Sequence, residues 1–247
     1  MSHILDTHLT YGFINQTFGP EGAAELSRRL LGDRASHGLS PIFAQGGVDM
    51  SIRLDARYCP KYIGSSHAHD ALLWDYLPNT GAYGRVVQQS LYMPRPDGTA
   101  AQREPHYRNL SMPIFFLRSQ DTQYMHVGIN LASAAQGNTD ILLGVNDTLA
   151  QFSSIQKTTL VLAPKDFIMY EDQLCLWDKR AGENGTTLGR FVKKVAAWVC
   201  RAFERLRIDV HPSQVWLVGL VPVCTGHWQV ILQVHDQALA VPPVYRA

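Results

Sequence analysis

Apolar residues recur in short runs along most of the chain, and the spacing within these runs predicts mainly strands. In residues 48–55 every second position is apolar, which is typical of a strand with one buried face. Residues 166–177 are predicted to form a hairpin that turns at Glu171 and Asp172. Apolar runs bounded by turn residues predict further strands at 112–118, 124–131, 141–145, 158–163, 215–223 and 227–235.

Two segments instead show the three-to-four-residue spacing of amphipathic helices. The first covers residues 21–31 and follows a turn signal at Phe18-Gly19-Pro20. The second covers residues 188–206, with Thr186 or Thr187 as its N-terminal cap and His211-Pro212 as its end. The buried face of this second helix is predicted to consist of Phe191, Val195, Trp198, Val199, Phe203 and Leu206.

Together these elements predict an α+β protein that is rich in strands. We expect a twisted sheet or a partly open barrel, with one short N-terminal helix and one long basic helix near the C-terminus. Because the chain contains no internal repeat and no low-complexity linker, residues 1–247 are predicted to form a single domain. A core at 40–135 with a C-terminal extension at 136–247 is a possible subdivision.

The overall composition excludes some classes of protein. The chain has 22 Lys and Arg against 21 Asp and Glu, so a binder that relies on a strongly basic tail is excluded. No apolar run approaches the roughly 18 residues that span a bilayer, and residues 1–8 have no pattern of a signal peptide. Four widely spaced cysteines indicate reduced thiols. We therefore expect an intracellular protein, nuclear or cytoplasmic, that does not associate with membranes.

The predicted C-terminal helix concentrates positive charge on one side. Its basic residues lie four or seven positions apart with only Glu204 opposing them, whereas the chain as a whole carries a net charge of +1. Such a face is often only solvated, but it also suits contacts with phosphate groups. These contacts point to nucleic acid, expected to be DNA, as the partner, and the predicted phosphate-contacting residues are Arg190, Lys194, Arg201 and Arg205.

Aromatic residues are concentrated in the irregular segment 58–83. A base that is flipped out of a helix needs aromatic faces to stack on and a carboxylate or amide to grip its polar edge. The segment supplies both, with Asp70 and Asp75 as acceptors and Tyr58, Tyr62, Trp74, Tyr76 and Tyr83 as rings. The alternative is that these rings fill a hydrophobic core.

The same region resembles the SET-and-RING-associated domains and their PUA-like relatives, which read modified bases in DNA. The counterparts of the family's motifs here are Met50-Ser-Ile52, Tyr58, Asp70, Trp74-Asp-Tyr76, Thr80-Gly81, residues 112–118 and Tyr124-Met-His-Val-Gly128. The family's Ser-Gly-Gly-Tyr-Glu-Asp run is absent, and the resemblance covers about a third of the chain. It implies a non-enzymatic reader of a modified base, with a pocket formed by Tyr58, Asp70, Trp74, Asp75, Tyr76 and Thr80.

A metal-dependent hydrolase is the alternative function. The His-x-His spacing of His67 and His69 places both imidazoles on one side of a strand, which suits zinc, and Asp70 follows directly. A more distant histidine, His106 or His126, would have to complete the site. A polar loop with two exposed histidines explains the same pattern without a metal. No nucleophile motif points to another enzyme class.

Overall fold

The computed structural model describes residues 11–31, 51–55, 71–108, 110–118, 126–152, 155–176 and 186–235, with the backbone alone for 31, 51–55, 71–74 and 150. Its α-helices are α1 (Phe13–Leu31), α2 (Thr80–Tyr83), α3 (Ala100–Arg103), α4 (Leu131–Gln136) and α5 (Leu188–Leu206). Its strands are β1 (Ser51–Asp55), β2 (Ala71–Tyr76), β3 (Arg85–Val86), β4 (Ile114–Phe115), β5 (Leu117–Arg118), β6 (His126–Val127), β7 (Ile129–Asn130), β8 (Lys157–Leu162), β9 (Tyr170–Cys175), β10 (Val215–Cys224) and β11 (His227–Val234).

A mixed sheet of seven strands organises the fold. The central hairpin of β10 and β11 continues on one side to β4 and on the other to β8 and β9, while β3 also pairs with β11 and β7 with β10. The pairing of β11 with β8 is parallel and the other pairings are antiparallel. This sheet takes strands from both sides of residue 135. Two smaller pairs, β1 with β2 and β5 with β6, stand apart from it.

The sheet is buried on both faces, which explains why β10 and β11 are nearly continuous apolar runs. Successive side chains of a strand point to opposite faces. Val215 and Leu217 join the hydrophobic cluster that contains α5. Val218 and Ile231 join the cluster that contains α1. The two helices therefore cover opposite faces of one sheet.

Helix α5 begins and ends where its pattern predicts. Thr187 occupies the N-terminal cap position but forms no side-chain capping hydrogen bond. At the other end Arg207 adopts a left-handed conformation with φ of 54° and closes the helix. The helix therefore stops four residues before the predicted His211-Pro212 signal. The helix ends at Arg207, although no glycine or proline at that position signals its end.

Helix α1 is longer than predicted. It begins at Phe13, and the expected turn at Gly19-Pro20 is a kink within it, with Gly19 at φ of 71°. The ring of Pro20 fixes its own φ near the helical value, so a second helical segment can begin there. Phe13 and Ile14 in the first segment and Leu26 in the second are buried against the same cluster. Burial of both segments on the sheet extends the helix across the break.

Two strand predictions are wrong. Residues 141–145 form turns instead of a strand, and only Leu142 makes an isolated bridge, to Arg118. The predicted turn at Glu171 and Asp172 lies in the middle of β9, which pairs with β8 along its full length. The reversal between these strands occurs at residues 164–167 instead. Pairing with β8 prevailed over the local polar signal in β9.

The chain is thus an α+β protein. Its large sheet is open, because the terminal strands β4 and β9 do not pair with each other and the described strands do not close into a barrel. No helix within the described ranges is long and apolar enough to cross a membrane. Cys175, Cys200 and Cys224, the cysteines within the described ranges, form no disulfide with one another.

Candidate functional site

The side of α5 that faces away from the sheet is basic. Arg190, Lys193, Arg201 and Arg205 are exposed on it, and Glu204 is the single acidic residue of the helix. The opposite side is fully buried, with Phe191, Trp198 and Val199 inaccessible to solvent. The helix therefore separates its apolar and charged residues as the sequence predicts.

One of the four predicted phosphate contacts has another role. The Lys194 ammonium donates hydrogen bonds to the carbonyl of Cys175 at 3.1 Å and to that of Leu176 at 3.3 Å. Its side chain thereby ties α5 to the end of β9. Arg201 and Arg205 are exposed near the C-terminal end of the helix, and there a cation also interacts favourably with the helix dipole.

A cavity of about 450 Å³ adjoins this end of α5. Phe203, Ile208 and Val234 contribute to an apolar wall, and the cations Arg85 and Lys165 also line it. The volume lies within the range of about 300–1,000 Å³ that is usual for small-molecule sites. In sequence, Arg205 and Arg207 lie between the lining residues Phe203 and Ile208.

The connection between β8 and β9 forms one edge of the cavity and exposes apolar side chains. Phe167, Ile168 and Met169 are 38%, 85% and 46% exposed. Asp166 lines the cavity and has a left-handed backbone with φ of 71°, a conformation that aspartate tolerates better than most residues. An aromatic ring, a carboxylate and a lysine therefore lie next to each other on this connection.

The described part of the predicted base pocket is buried. Tyr76 is 3% exposed, and its ring packs edge-on against Phe115 with centroids 5.2 Å apart. Asp75 is 1% exposed, and its carboxylate accepts hydrogen bonds from the backbone N–H groups of Ile14 at 3.0 Å and of Tyr76 at 2.8 Å. For these two residues the structure gives the core role that was the alternative to base stacking.

Asp75 acts as a helix cap supplied by a distant strand. Its carboxylate faces the first turn of α1, where backbone N–H groups have no partner within the helix. Burial raises the pKa of Asp75 to about 8, although hydrogen bonds from Ile14, Tyr76 and Phe13 act to lower it. The side chain therefore takes up a proton close to neutral pH.

The remaining predicted pocket and metal residues are not brought together in the described structure. Thr80 is the exposed first residue of α2. Trp74 lies in β2, where the backbone alone is described. The other predicted residues, Tyr58, Asp70, His67 and His69, lie outside the described ranges.

A second cluster of polar and aromatic side chains surrounds Arg118, which sequence reasoning missed. The Arg118 guanidinium lies 4.7 Å from the ring centroid of Trp216 and 5.1 Å from that of Tyr83. Its Nη2 donates a hydrogen bond of 2.7 Å to the Tyr83 hydroxyl, which is 2.8 Å from His126 Nδ1. Four elements, α2, β5, β6 and β10, thus bring these side chains together.

Hydrogen bonding orients the members of this cluster. The Tyr83 oxygen accepts from Arg118 and also hydrogen-bonds to His126 Nδ1, in a direction set by the tautomer of the imidazole. A buried glutamine holds the backbone next to Tyr83 in place. Gln233 donates to the carbonyl of Gly84, next to Tyr83, at 3.0 Å.

The sequence contains only weak signals for the residues of the Arg118 cluster and of the cavity. Arg118 ends the apolar run 112–118, and a charged residue at the end of a predicted strand is informative. Trp216 lies within the apolar run 215–223 and gave no separate signal. Phe167 and Lys165 were missed because the hairpin turn was predicted at Glu171 and Asp172 instead of at residues 164–167. Among the described residues no three His, Cys, Asp or Glu side chains form a potential metal site.

Comparisons with protein-family models, with curated proteins and with solved structures found no match to this chain.

Proposed function

We propose that this protein binds nucleic acid through the basic side of α5 and the cavity at the end of that helix. The observation that carries the proposal is the exposed row of cations on α5, formed by Arg190, Lys193, Arg201 and Arg205, in a chain whose net charge is only +1. A concentrated positive surface attracts phosphates and releases their counterions on binding.

The cavity supports a role in holding a base. Phosphate contacts position a nucleic acid, whereas specificity requires contacts with bases. Phe167 offers a partly exposed ring, Asp166 a carboxylate acceptor and Lys165 a cation at the same cavity. An unpaired base entering there would stack on Phe167 and meet Asp166 at its polar edge. A modified base in DNA is the ligand that we propose for this cavity.

The phosphate contacts are tested by the double variant Arg201→Gln/Arg205→Gln. Fluorescence anisotropy with labelled duplex and single-stranded DNA, and with RNA of the same sequence, would give affinities over a range of salt concentrations. Each lost phosphate contact should reduce the slope of log affinity against log salt by about 1. Weaker binding should appear on every sequence tested.

The matched control removes two arginines elsewhere. Arg95 and Arg108 are exposed in the segment that packs near α1, on the other face of the sheet. Arg95→Gln/Arg108→Gln changes the net charge equally but should keep the wild-type slope. Equal loss in both double variants would mean that only overall charge matters, and no binding at low salt would overturn the proposal.

Base recognition is tested by Phe167→Ala. Loss of one stacking ring should weaken binding of a single-stranded or modified oligonucleotide by about 1–3 kcal/mol. Ile168→Ala on the same connection, where the side chain is 85% exposed but does not line the cavity, is the control. Unchanged affinity of Phe167→Ala for modified and unmodified DNA would exclude the cavity as a base site.

A further inference from the structure

The guanidinium of Arg118 is buried, and no described residue gives it a counter-charge. The residue is 5% exposed, and no carboxylate in the described part of the chain forms an ion pair with it. Its Nε is buried and has no hydrogen-bond partner, and Nη1 forms no hydrogen bond with a described residue. Arginine stays charged at any physiological pH, so the charge cannot be removed by loss of a proton.

The described groups around Arg118 add donors and no negative charge. The indole Nε1–H of Trp216 is also buried without a partner. The Tyr83 oxygen already accepts from Arg118, and its second hydrogen bond is with His126. Cation–π contacts with the two rings offset part of the free-energy cost of burying the guanidinium. They do not provide an acceptor for the unpartnered N–H groups.

The position of Trp216 in β10 separates this cluster from the basic side of α5. Trp216 stands between Val215 and Leu217 in β10, and both of those side chains pack with α5. Because side chains alternate along a strand, Trp216 points away from α5. The Arg118 cluster and the basic side of α5 are therefore separate features, and the inference below does not rest on nucleic-acid binding.

We propose that Arg118, Trp216 and Tyr83 form a binding site for the oxyanion of a small molecule, a carboxylate or a phosphate group. Such an anion supplies the missing counter-charge and accepts from the free guanidinium N–H groups, whose fork geometry matches both oxyanions. The indole N–H is a further donor. Tyr83 is a positioning residue that fixes the guanidinium through its hydroxyl, and His126 in turn fixes the hydroxyl.

The test compares wild type with Arg118→Met by thermal unfolding in the presence of phosphate, acetate or chloride at equal ionic strength. Wild type should gain about 3–6 °C in Tm at ten times the dissociation constant of the anion that fits. The relative response to phosphate and acetate identifies the group. Arg118→Met should lose the response while its Tm without anion stays equal or rises, because an unpaired buried charge is replaced by an apolar side chain.

Two further variants keep the test decisive if Arg118→Met does not fold. Trp216→Phe keeps a ring but removes the indole N–H, so it should weaken anion binding about 2- to 10-fold. The α5 variant Arg201→Gln/Arg205→Gln should keep the full response, which separates this site from diffuse phosphate binding.

Either of two results would overturn the proposal. One is a wild-type Tm that neither phosphate nor acetate raises above its value in chloride. The other is an anion response that persists in Arg118→Met or, where that variant does not fold, is unchanged in Trp216→Phe.

Discussion

The protein buries two arginines in different ways. Arg29 in α1 has a fully buried side chain whose Nε pairs with Glu25 at 2.8 Å, and its Nη1 donates to the carbonyls of Tyr92 and Val223. Arg118 stacks on two rings and pairs with no carboxylate in the described structure. Each leaves one buried nitrogen without a partner, Nη2 in Arg29 and Nε in Arg118. The difference between them is the counter-charge.

That difference separates a structural role from a binding role. Arg29 connects α1 to the end of β10 and to the segment around Tyr92, so its charge is compensated by the fold itself. Burying a charge without compensation is unfavourable. A protein retains such a group where a ligand completes it, and stability is commonly lower at functional sites for this reason. Arg118 fits that description and Arg29 does not.

Asp75 provides a third case, a buried acid with no cation among its described neighbours. Burial raises the pKa of its carboxyl to about 8, so it sheds its charge by binding a proton. A guanidinium has no such route. The contrast explains why Asp75 serves as a cap within the core whereas Arg118 needs an external anion.

The largest effect on stability is expected from Arg29→Met. Removing one partner of a buried pair and its hydrogen bonds should lower the free energy of unfolding by about 3–5 kcal/mol, measured by urea denaturation. Arg118→Met, the same substitution at the uncompensated arginine, should leave it unchanged or raise it. Equal losses at the two sites would contradict the distinction between them.

A pH-dependent effect is expected from Asp75. Its pKa in the folded state, about 8, lies above the ordinary value of 3.8, so between these values the folded protein holds a proton that the unfolded chain lacks. The free energy of unfolding therefore falls as the pH rises through this window, by about 1.4 kcal/mol for each unit of difference between the two pKa values.

Asp75→Asn is neutral at every pH and should remove this contribution. Urea denaturation of wild type and variant at several pH values between 4 and about 8 provides the comparison. The stability difference should shift in favour of the variant as the pH rises. Parallel pH profiles would show that Asp75 is charged throughout in the folded protein.

A smaller effect is expected from Glu25→Gln. The substitution leaves Arg29 buried without its carboxylate and should lower the free energy of unfolding by about 1–3 kcal/mol. Partial burial acts to raise the pKa of Glu25, but hydrogen bonds and charge from Arg28 and Arg29 outweigh it and lower the pKa below 4.5.

The stability that Glu25 contributes is therefore present above pH 4.5 and is lost as the pH falls through its lower folded-state pKa. Wild type and Glu25→Gln should converge in urea denaturation at acidic pH. A stability difference that stays constant down to low pH would show that the charge of Glu25 contributes nothing.

Prediction from sequence succeeded where the spacing of apolar residues within one segment determines its secondary structure. The bounds of α5 follow from the spacing of Phe191, Val195 and Phe203, and the β10–β11 hairpin follows from two long apolar runs. It failed for residues 141–145 and at Glu171 and Asp172, where local patterns are short. Pairing between distant segments decided those regions.

The sequence by itself determined the α+β class, the long C-terminal helix and the basic side of that helix, because these depend on residues a few positions apart. Only the tertiary structure brought Tyr83, Arg118, His126 and Trp216 together, and only it buried Asp75 at the start of α1. Contacts between residues so far apart in sequence leave no periodic signal. Whether a charged side chain ends in solvent, beside a counter-charge or alone in the core therefore depends on how the elements pack.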